Sequence, residues 1–341
     1  MEKLKPILAE IAAGKSLTAE KAKQAFDIIL SGEATAGQIG AFLMGLRVRG
    51  ETIDELVAGA TIMRQHALSV DAPENAIDTC GTGGDGAGTY NISTAVAFVV
   101  AAGGVPVAKH GNKALSSKSG SAEVLEKLGV KLDLTPAQIS QAINQIGMGF
   151  MFAPAHHSAM RHVGPVRAEL AQRTIFNLLG PLSNPASAKT QLLGVFDKSW
   201  LRPLAETLGK LGSVSAWVVH GSDGLDELTT TGISHIAELK NGTVSEFDIT
   251  PEEVGLSQAT PQQLAGGTPE ENAQAMRAIF DGAQNAYRDI VLLNAGAAFV
   301  AAAKADTLKA GVNMAAQVID TGQARDKLDA LIAFSQNQEQ S

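Results

Sequence analysis

The sequence predicts an α/β protein: a small all-helical N-terminal unit hinged to a larger unit with a central, mostly parallel sheet. Three observations carry this. Residues 1–71 show only helical apolar spacing and helix punctuation. After Pro73, short β-prone runs alternate with helical ones, the pattern of strands wrapped by crossover helices. And 341 residues exceed the roughly 150 of a typical domain.

Leu4, Ile7, Leu8 and Ile11 mark the first helix, which Gly14 closes. Phe26, Ile29 and Leu30 mark the second, ended by Gly32; Ile39, Phe42, Leu43 and Leu46 mark the third, ended by Gly50. Thr52-Ile-Asp-Glu55 is a capping box opening a fourth. A unit this short buries little on its own and needs another surface to pack on. Beyond Pro73, strands are expected at Ala76–Thr79, Val105–Ala108, Phe150–Phe152, Leu192–Phe196 and Ala216–His220. Helices are expected at Asn91–Ala102 and Ala122–Leu128 and after His156. His235–Leu239 and Val244–Ile249 flank Asn241-Gly242, a preferred hairpin dipeptide. Thr268-Pro-Glu-Glu271 opens a further helix, and the tail from Ser335 to Ser341 reads as frayed.

Composition removes several functions. Apolar residues make up 45% of the chain, far above a disordered sequence. Aromatics are 4%, too few for a base-stacking surface, and the net charge of −8 opposes binding to nucleic acid or anionic membrane. A lone cysteine, Cys80, cannot form an intrachain disulfide and suits a reducing compartment. The N-terminus has no signal-peptide core, and the apolar runs Ala95–Ala108 and Ile290–Ala303 are too short to span a bilayer. The expectation is a cytoplasmic protein without membrane or nucleic-acid partners.

Glycine is in excess, 35 of 341 residues, and it is concentrated. Cys80-Gly-Thr-Gly-Gly-Asp-Gly-Ala-Gly88 lies between an expected strand and an expected helix. Backbone N–H groups of such a turn, with the following helix N-terminus, form an anion cradle. Gly81, Gly83 and Gly86 satisfy the dinucleotide pattern, yet no acid follows at the distance a ribose would need. Between Asp85 and Glu123 there are 37 residues with three lysines and no acid. That interval points to a small molecule carrying more than one phosphate. Thr89, Asn91, Ser93 and Thr94 supply donors at the helix start, and Lys109 is expected to emerge from the neighbouring strand end, where ligands of open α/β sheets sit.

An acidic pair complements this basic interval. Asp226 and Glu227 follow a strand; Mg²⁺ is held by one or two carboxylates plus ligand oxygens, so they fit a metal-bridged phosphate, with Ser93 able to add a hydroxyl. In a third segment, His156, His157 and His162 lack metal spacing and suit packed, neutral roles. Arg167 and Arg173 can each fork a carboxylate, although Arg173 equally suits a structural role.

Taken together, Gly81-Thr-Gly-Gly-Asp-Gly86, Asn91-Ile-Ser-Thr94, Lys109-His-Gly-Asn112, Arg173-Thr-Ile-Phe-Asn-Leu-Leu-Gly-Pro-Leu182 and Asp223-Gly-Leu-Asp-Glu-Leu-Thr229 resemble the anthranilate phosphoribosyltransferases over essentially the whole chain. The resemblance implies a nucleoside phosphorylase/phosphoribosyltransferase-like fold with a helical domain of residues 1–71, also using about 166–189, and an α/β domain of residues 72–341. It implies transfer of phosphoribose from 5-phosphoribosyl 1-diphosphate (PRPP) to anthranilate. It further implies a homodimer, Mg²⁺ as two ions, and scope for association with an anthranilate synthase component. The positions matching PRPP binding are Gly81, Gly84, Asp85, Thr89, Asn91, Ile92, Ser93, Thr94, Lys109, His110, Gly111, Asn112, Lys113, Ala114, Leu115, Ser116, Ser117 and Ser121. Ser93, Asp226 and Glu227 match the metal sites; Gly81, Asn112 and Arg167 match anthranilate binding, with His110 nearby. Lys109, Asn112 and Arg167 would act by positioning and electrostatics, and no general base stands out. Lys113, Ala171 and Tyr90 depart from the family's usual Arg, Gly and Phe.

Two rival readings make different demands. A pyrimidine nucleoside phosphorylase would lack the Asp226–Glu227 pair and the Arg173–Leu182 run. A non-catalytic nucleic-acid-binding relative would have a basic surface and lost metal carboxylates.

Overall fold

The computed structural model describes residues 2–114 and 119–338; Leu115, Ser116 and Ser117 of the expected site lie outside the described residues. Helix α1 (Lys5–Ala12) is followed by α2 (Ala19–Leu30), α3 (Ala36–Arg49) and α4 (Ile53–His66). Thr18, Thr35 and Thr52 each accept a backbone N–H at the start of α2, α3 and α4, satisfying donors a helix cannot satisfy itself. Their apolar faces converge on Phe26, whose ring meets Phe42 edge-on at 5.3 Å and Phe176 at 6.1 Å. Phe176 comes from much later in the chain. The small unit does need another surface.

That surface is the second half of a long α/β run. It begins with β1 (Ile77–Gly81), α5 (Ile92–Ala102), β2 (Val107–Gly111), α6 (Ser121–Leu128), α7 (Pro136–Ile146) and β3 (Met148–Phe152). Short helices α8 (Ala153–His156), α9 (Gly164–Leu170) and α10 (Ile175–Leu182) lead to β4 (Thr190–Gly194), α11 (Leu201–Lys210) and β5 (Ser215–Gly221). The hairpin β6 (Ser234–Lys240) and β7 (Thr243–Ile249) turns at Asn241 and Gly242, both at positive φ, as the dipeptide demands. Helices α12 (Pro261–Leu264), α13 (Pro269–Phe280), α14 (Ala286–Ala301), α15 (Leu308–Asp320) and α16 (Gln323–Gln336) complete the chain.

The sheet order is β3-β2-β1-β4-β5-β6-β7. The pairs from β3 to β5 are parallel, and the hairpin adds two antiparallel strands. The winding reverses between β1 and β4, and crevices at such reversals hold ligands beyond the strands' carboxyl ends. Gly81 and Gly194 are register partners at those two ends.

Two helical layers cover the sheet. On one face, α14 is buried almost all round and lies against α5 and α15; Gly296 and Gly311 let α14 and α15 approach until a Cβ on either would meet the other's backbone. On the other face, Leu193, Val195, Ala216 and Val218 share a core with α10, α11 and the N-terminal helices. The apolar run from Ile290 is thus a buried helix, and no helix among the described residues is long and apolar enough to cross a membrane. Strands β1 and β4 are displaced by one to two residues from the expected Ala76–Thr79 and Leu192–Phe196, and the tail differs as well. Ser335 is not frayed: it is fully buried in α16, and its Oγ accepts the Lys131 N–H at 3.1 Å.

Candidate active site

At the carboxyl end of β1 the chain must let another segment cross. A Cβ at Gly81 would collide with the Asp226 carboxylate, and one at Gly194 with the Asp226 carbonyl. Both strands therefore end in glycine because the acidic turn is laid directly over them. Asp226 Oδ2 accepts the Gly83 N–H at 2.7 Å, and Glu227 Oε1 accepts the Ser93 N–H at 3.1 Å. The acidic pair is thereby hung from the glycine loop and from the start of α5.

Beneath this junction lies Lys109. It does not emerge from the strand end as expected. It is 1% exposed, and its ammonium turns inward to the Thr79 carbonyl and to Ser93 Oγ, the latter at 3.3 Å. The reason is electrostatic: Asp78, Glu227 and Asp226 all draw a positive charge to this point, while burial pulls its pKa down. Burial pushes Asp226 up to about 7, with the nearby Asp85 charge adding to it. Glu227 is raised well above the usual carboxylate range by burial and then by Asp226, with Lys109 opposing. Carboxylates held together this way, with oxygen-only chemistry, suit a hard divalent cation. Among the described residues no group of three or more His, Cys, Asp or Glu side chains gathers to hold a metal. A cation here would complete its shell with ligand oxygens.

The glycine loop itself is braced from outside. Gly84, at φ +74°, accepts from Arg173 Nη2, and the Arg173 guanidinium sits 4.2 Å from the Phe196 ring centroid. Asp85 accepts the Ala87 N–H at 3.2 Å, and Thr89 bridges to Ala265. Tyr90 stacks on Tyr287 at 4.3 Å. Ile92 is buried in the core, so only its backbone is available to a ligand; Thr94 Oγ1 is buried with no hydrogen-bond partner among the described residues. The Asn91 side chain joins Ser119 and Asn272, with Asn272 Nδ2 donating to Asn91 Oδ1 at 2.8 Å.

A second group gathers at the end of β2. Ser121 Oγ donates to the Asn112 carbonyl at 3.2 Å, against Gly111, where a Cβ would strike that hydroxyl. Glu123 accepts the N–H groups of Ala114 and Gly120, tying both to the start of α6. Lys113 is exposed, 3.8 Å from Glu126. His110 is buried against His157, with ring centroids 5.1 Å apart; its pKa is pushed well down, chiefly by burial. Burial likewise takes His157 to about 4. His156 Nδ1 meets the Leu68 carbonyl at 2.7 Å, the packed role expected of it.

Arg167 shares no hydrogen bond with either group among the described residues. Its hydrogen bond among the described residues goes to Asn177 Oδ1 at 3.5 Å, and its guanidinium lies 5.8 Å from the Phe176 ring. Burial lowers its pKa, and no neighbouring charge among the described residues opposes that shift. A half-buried guanidinium of this kind is ready for an anionic partner.

Sequence reasoning missed the buried supports. Asp78 is fully buried, accepting the His110 N–H at 3.1 Å and Asn184 Nδ2 at 2.7 Å. It carried one legible signal, a lone acid inside an apolar strand. Asn184 and Asn272 carried none, because their partners are remote in sequence.

Comparison with known proteins adds to this geometry. Residues 5–67 match the helical bundle domain of the glycosyl transferase family, and residues 73–325 its a/b domain. The chain is 61% identical over 333 residues to an anthranilate phosphoribosyltransferase of Parvibaculum lavamentivorans, covering 98% of each. It superposes with a TM-score of 0.93 and 44% identity on the anthranilate phosphoribosyltransferase of Thermus thermophilus, covering 98% of this chain and 100% of that one. Against the Saccharomyces cerevisiae enzyme in complex with PRPP and Mg, the TM-score is 0.90 and the identity 26%, over 98% of each chain.

Proposed function

The chain belongs to the anthranilate phosphoribosyltransferase family, and from that premise we propose how its own residues carry the reaction. It transfers the 5-phosphoribosyl group of PRPP to the amine of anthranilate, yielding N-(5-phosphoribosyl)anthranilate and pyrophosphate, in tryptophan biosynthesis. The C1–N bond forms as the C1–O bond to pyrophosphate breaks, and the amine proton passes to the leaving group or to water. The observation that carries the residue assignments is the Asp226–Glu227 pair suspended over the switch point from Gly83 and Ser93.

The ribose C1 gains oxocarbenium character as pyrophosphate departs, so the protein's work is positioning and charge stabilisation. Asp226, Glu227 and Ser93 would hold Mg²⁺, which we infer as two ions, and the metal would supply charge stabilisation for the departing pyrophosphate. Lys109 acts from below: its charge opposes the rise in the Glu227 pKa, and its ammonium donates to Ser93 Oγ. The glycine turn, the N-terminus of α5, Asn112 and Ser121 supply phosphate donors. Arg167 receives the anthranilate carboxylate, while Asn112, His110 and Gly81 border the path to C1. Closure of the helical unit over the crevice would exclude water, which otherwise hydrolyses PRPP. We further infer a cytoplasmic homodimer and leave room for an anthranilate synthase partner. The direct test is loss of anthranilate fluorescence on mixing with PRPP: consumption that depends on added Mg²⁺ is expected, and its absence would refute the assignment.

A further inference from the structure

We propose that Asn294 is the positioning residue that sets the Asp226–Glu227 pair. It lies within α14, where Ile290, Val291, Leu293, Ala295, Ala297 and Phe299 are fully buried, and it is itself fully buried. An amide placed in such surroundings is costly unless every polar atom is bonded. Here it is bonded, and to one residue above all. Asn294 Oδ1 accepts the Leu228 N–H at 3.0 Å, and its Nδ2 donates to the Leu228 carbonyl at 2.8 Å and to the Ile290 carbonyl at 2.9 Å.

Leu228 directly follows Glu227, so the helix grips both backbone groups of the residue next to the pair. The amide does for this turn what a neighbouring strand does for a sheet residue. On the far side the turn is held by Asp223, whose Oδ2 accepts from Thr229 Oγ1 and Thr231 Oγ1, each at 2.6 Å. The Leu228 grip and the Asp223 brace leave the acidic pair little freedom to swing away from Gly83 and Ser93. Its repulsion, with three acids around one buried lysine, would otherwise favour just that. Asn294 touches no ligand itself; it acts through the backbone.

This inference rests on the assignment of Asp226 and Glu227 to the Mg²⁺–PRPP site. Its test is calorimetric titration of PRPP at a series of Mg²⁺ concentrations, alongside steady-state kinetics. N294A, verified as folded by circular dichroism, should weaken Mg²⁺-dependent PRPP binding about tenfold, as loss of a support behind metal ligands does. Its KM for anthranilate should stay within about twofold of wild type, since Arg167 lies elsewhere. Folded N294A with wild-type Mg²⁺ dependence, however lowered its Tm, would overturn the proposal. If N294A does not fold, D223A loosens the same turn from its exposed side: weakened Mg²⁺-dependent PRPP binding supports the proposal, and unchanged binding overturns it. Wild-type protein that binds PRPP equally with and without Mg²⁺ would remove the metal assignment, and this inference with it.

Discussion

Where the acidic turn crosses β1 and β4, hydrogen bonds to named backbone groups hold the site: Gly83 and Ser93 to the carboxylates, Leu228 to Asn294, Gly84 to Arg173. Where α9 and α10 pack on the N-terminal helices, the contacts are apolar instead. Val166, Phe176, Leu179 and Leu182 share a core with Phe26 and Phe42, and Arg64 Nε reaches the Leu182 carbonyl at 2.8 Å. One side of the crevice is a charged lattice; the other is a packed bundle that carries the half-buried Arg167. The contrast follows from the ligands assigned to each. A diphosphate with metal concentrates charge and needs many fixed dipoles, while an aromatic carboxylate needs an apolar wall and one cation.

The largest effect that tests this contrast is removal of the acidic pair. Changing Asp226 and Glu227 together to Ala should lower kcat/KM for PRPP by at least about 100-fold and abolish its Mg²⁺ dependence. An unaltered Mg²⁺ profile would break the assignment. The same site should be unstable without its ligands. Asp226 has a folded pKa of about 7, raised above its unfolded value, so it supports the fold at low pH and loses that support as pH rises toward 7. D226N should therefore raise the stability of ligand-free protein at pH 8, by about 1–2 kcal/mol after allowance for its partial exposure; no gain in denaturant midpoint would contradict the electrostatic reading.

On the bundle side the next effect is R167A. It should raise KM for anthranilate about 10–100-fold with little change in PRPP binding. Equal losses for both substrates would erase the division between the two sides.

A smaller effect belongs to the histidines between them. His157 is depressed to about 4, so its neutral form supports the fold above about pH 6.5, and that support is lost as pH falls toward 4. The loss should approach about 3 kcal/mol by pH 4, visible as a falling urea midpoint. H157Q should flatten that dependence; an unchanged slope would show that the buried ring does not govern it.

The smallest concerns Ala171, which ends α9 at φ +47°, a conformation glycine adopts without strain. A171G should add about 1 kcal/mol to stability, seen as a higher Tm, with kinetics unchanged.

Much of the fold was legible because its signals are local. The threonine caps at Thr52 and Thr268 and the Asn241-Gly242 turn all lie within a few residues of what they organise. The glycine loop and the acidic pair were legible for the same reason: each is a run with unusual composition. Lys109 stood out in the sequence, but its direction did not, since its partners Thr79 and Ser93 come from other elements. Asn294 was hidden in an apolar run whose only evident property was being too short for a membrane.

The sequence alone therefore determined the class of ligand and the class of fold. Periodicity, caps and turn chemistry are short-range, and a cluster of glycines or a stretch without acids needs no partner to be seen. Tertiary structure alone decided which groups meet: Gly83 with Asp226, 143 residues away, and Leu228 with Asn294 on a helix behind the sheet. Buried polar atoms take whatever donor or acceptor the folded backbone brings within reach, and that choice is written in no single segment of the chain.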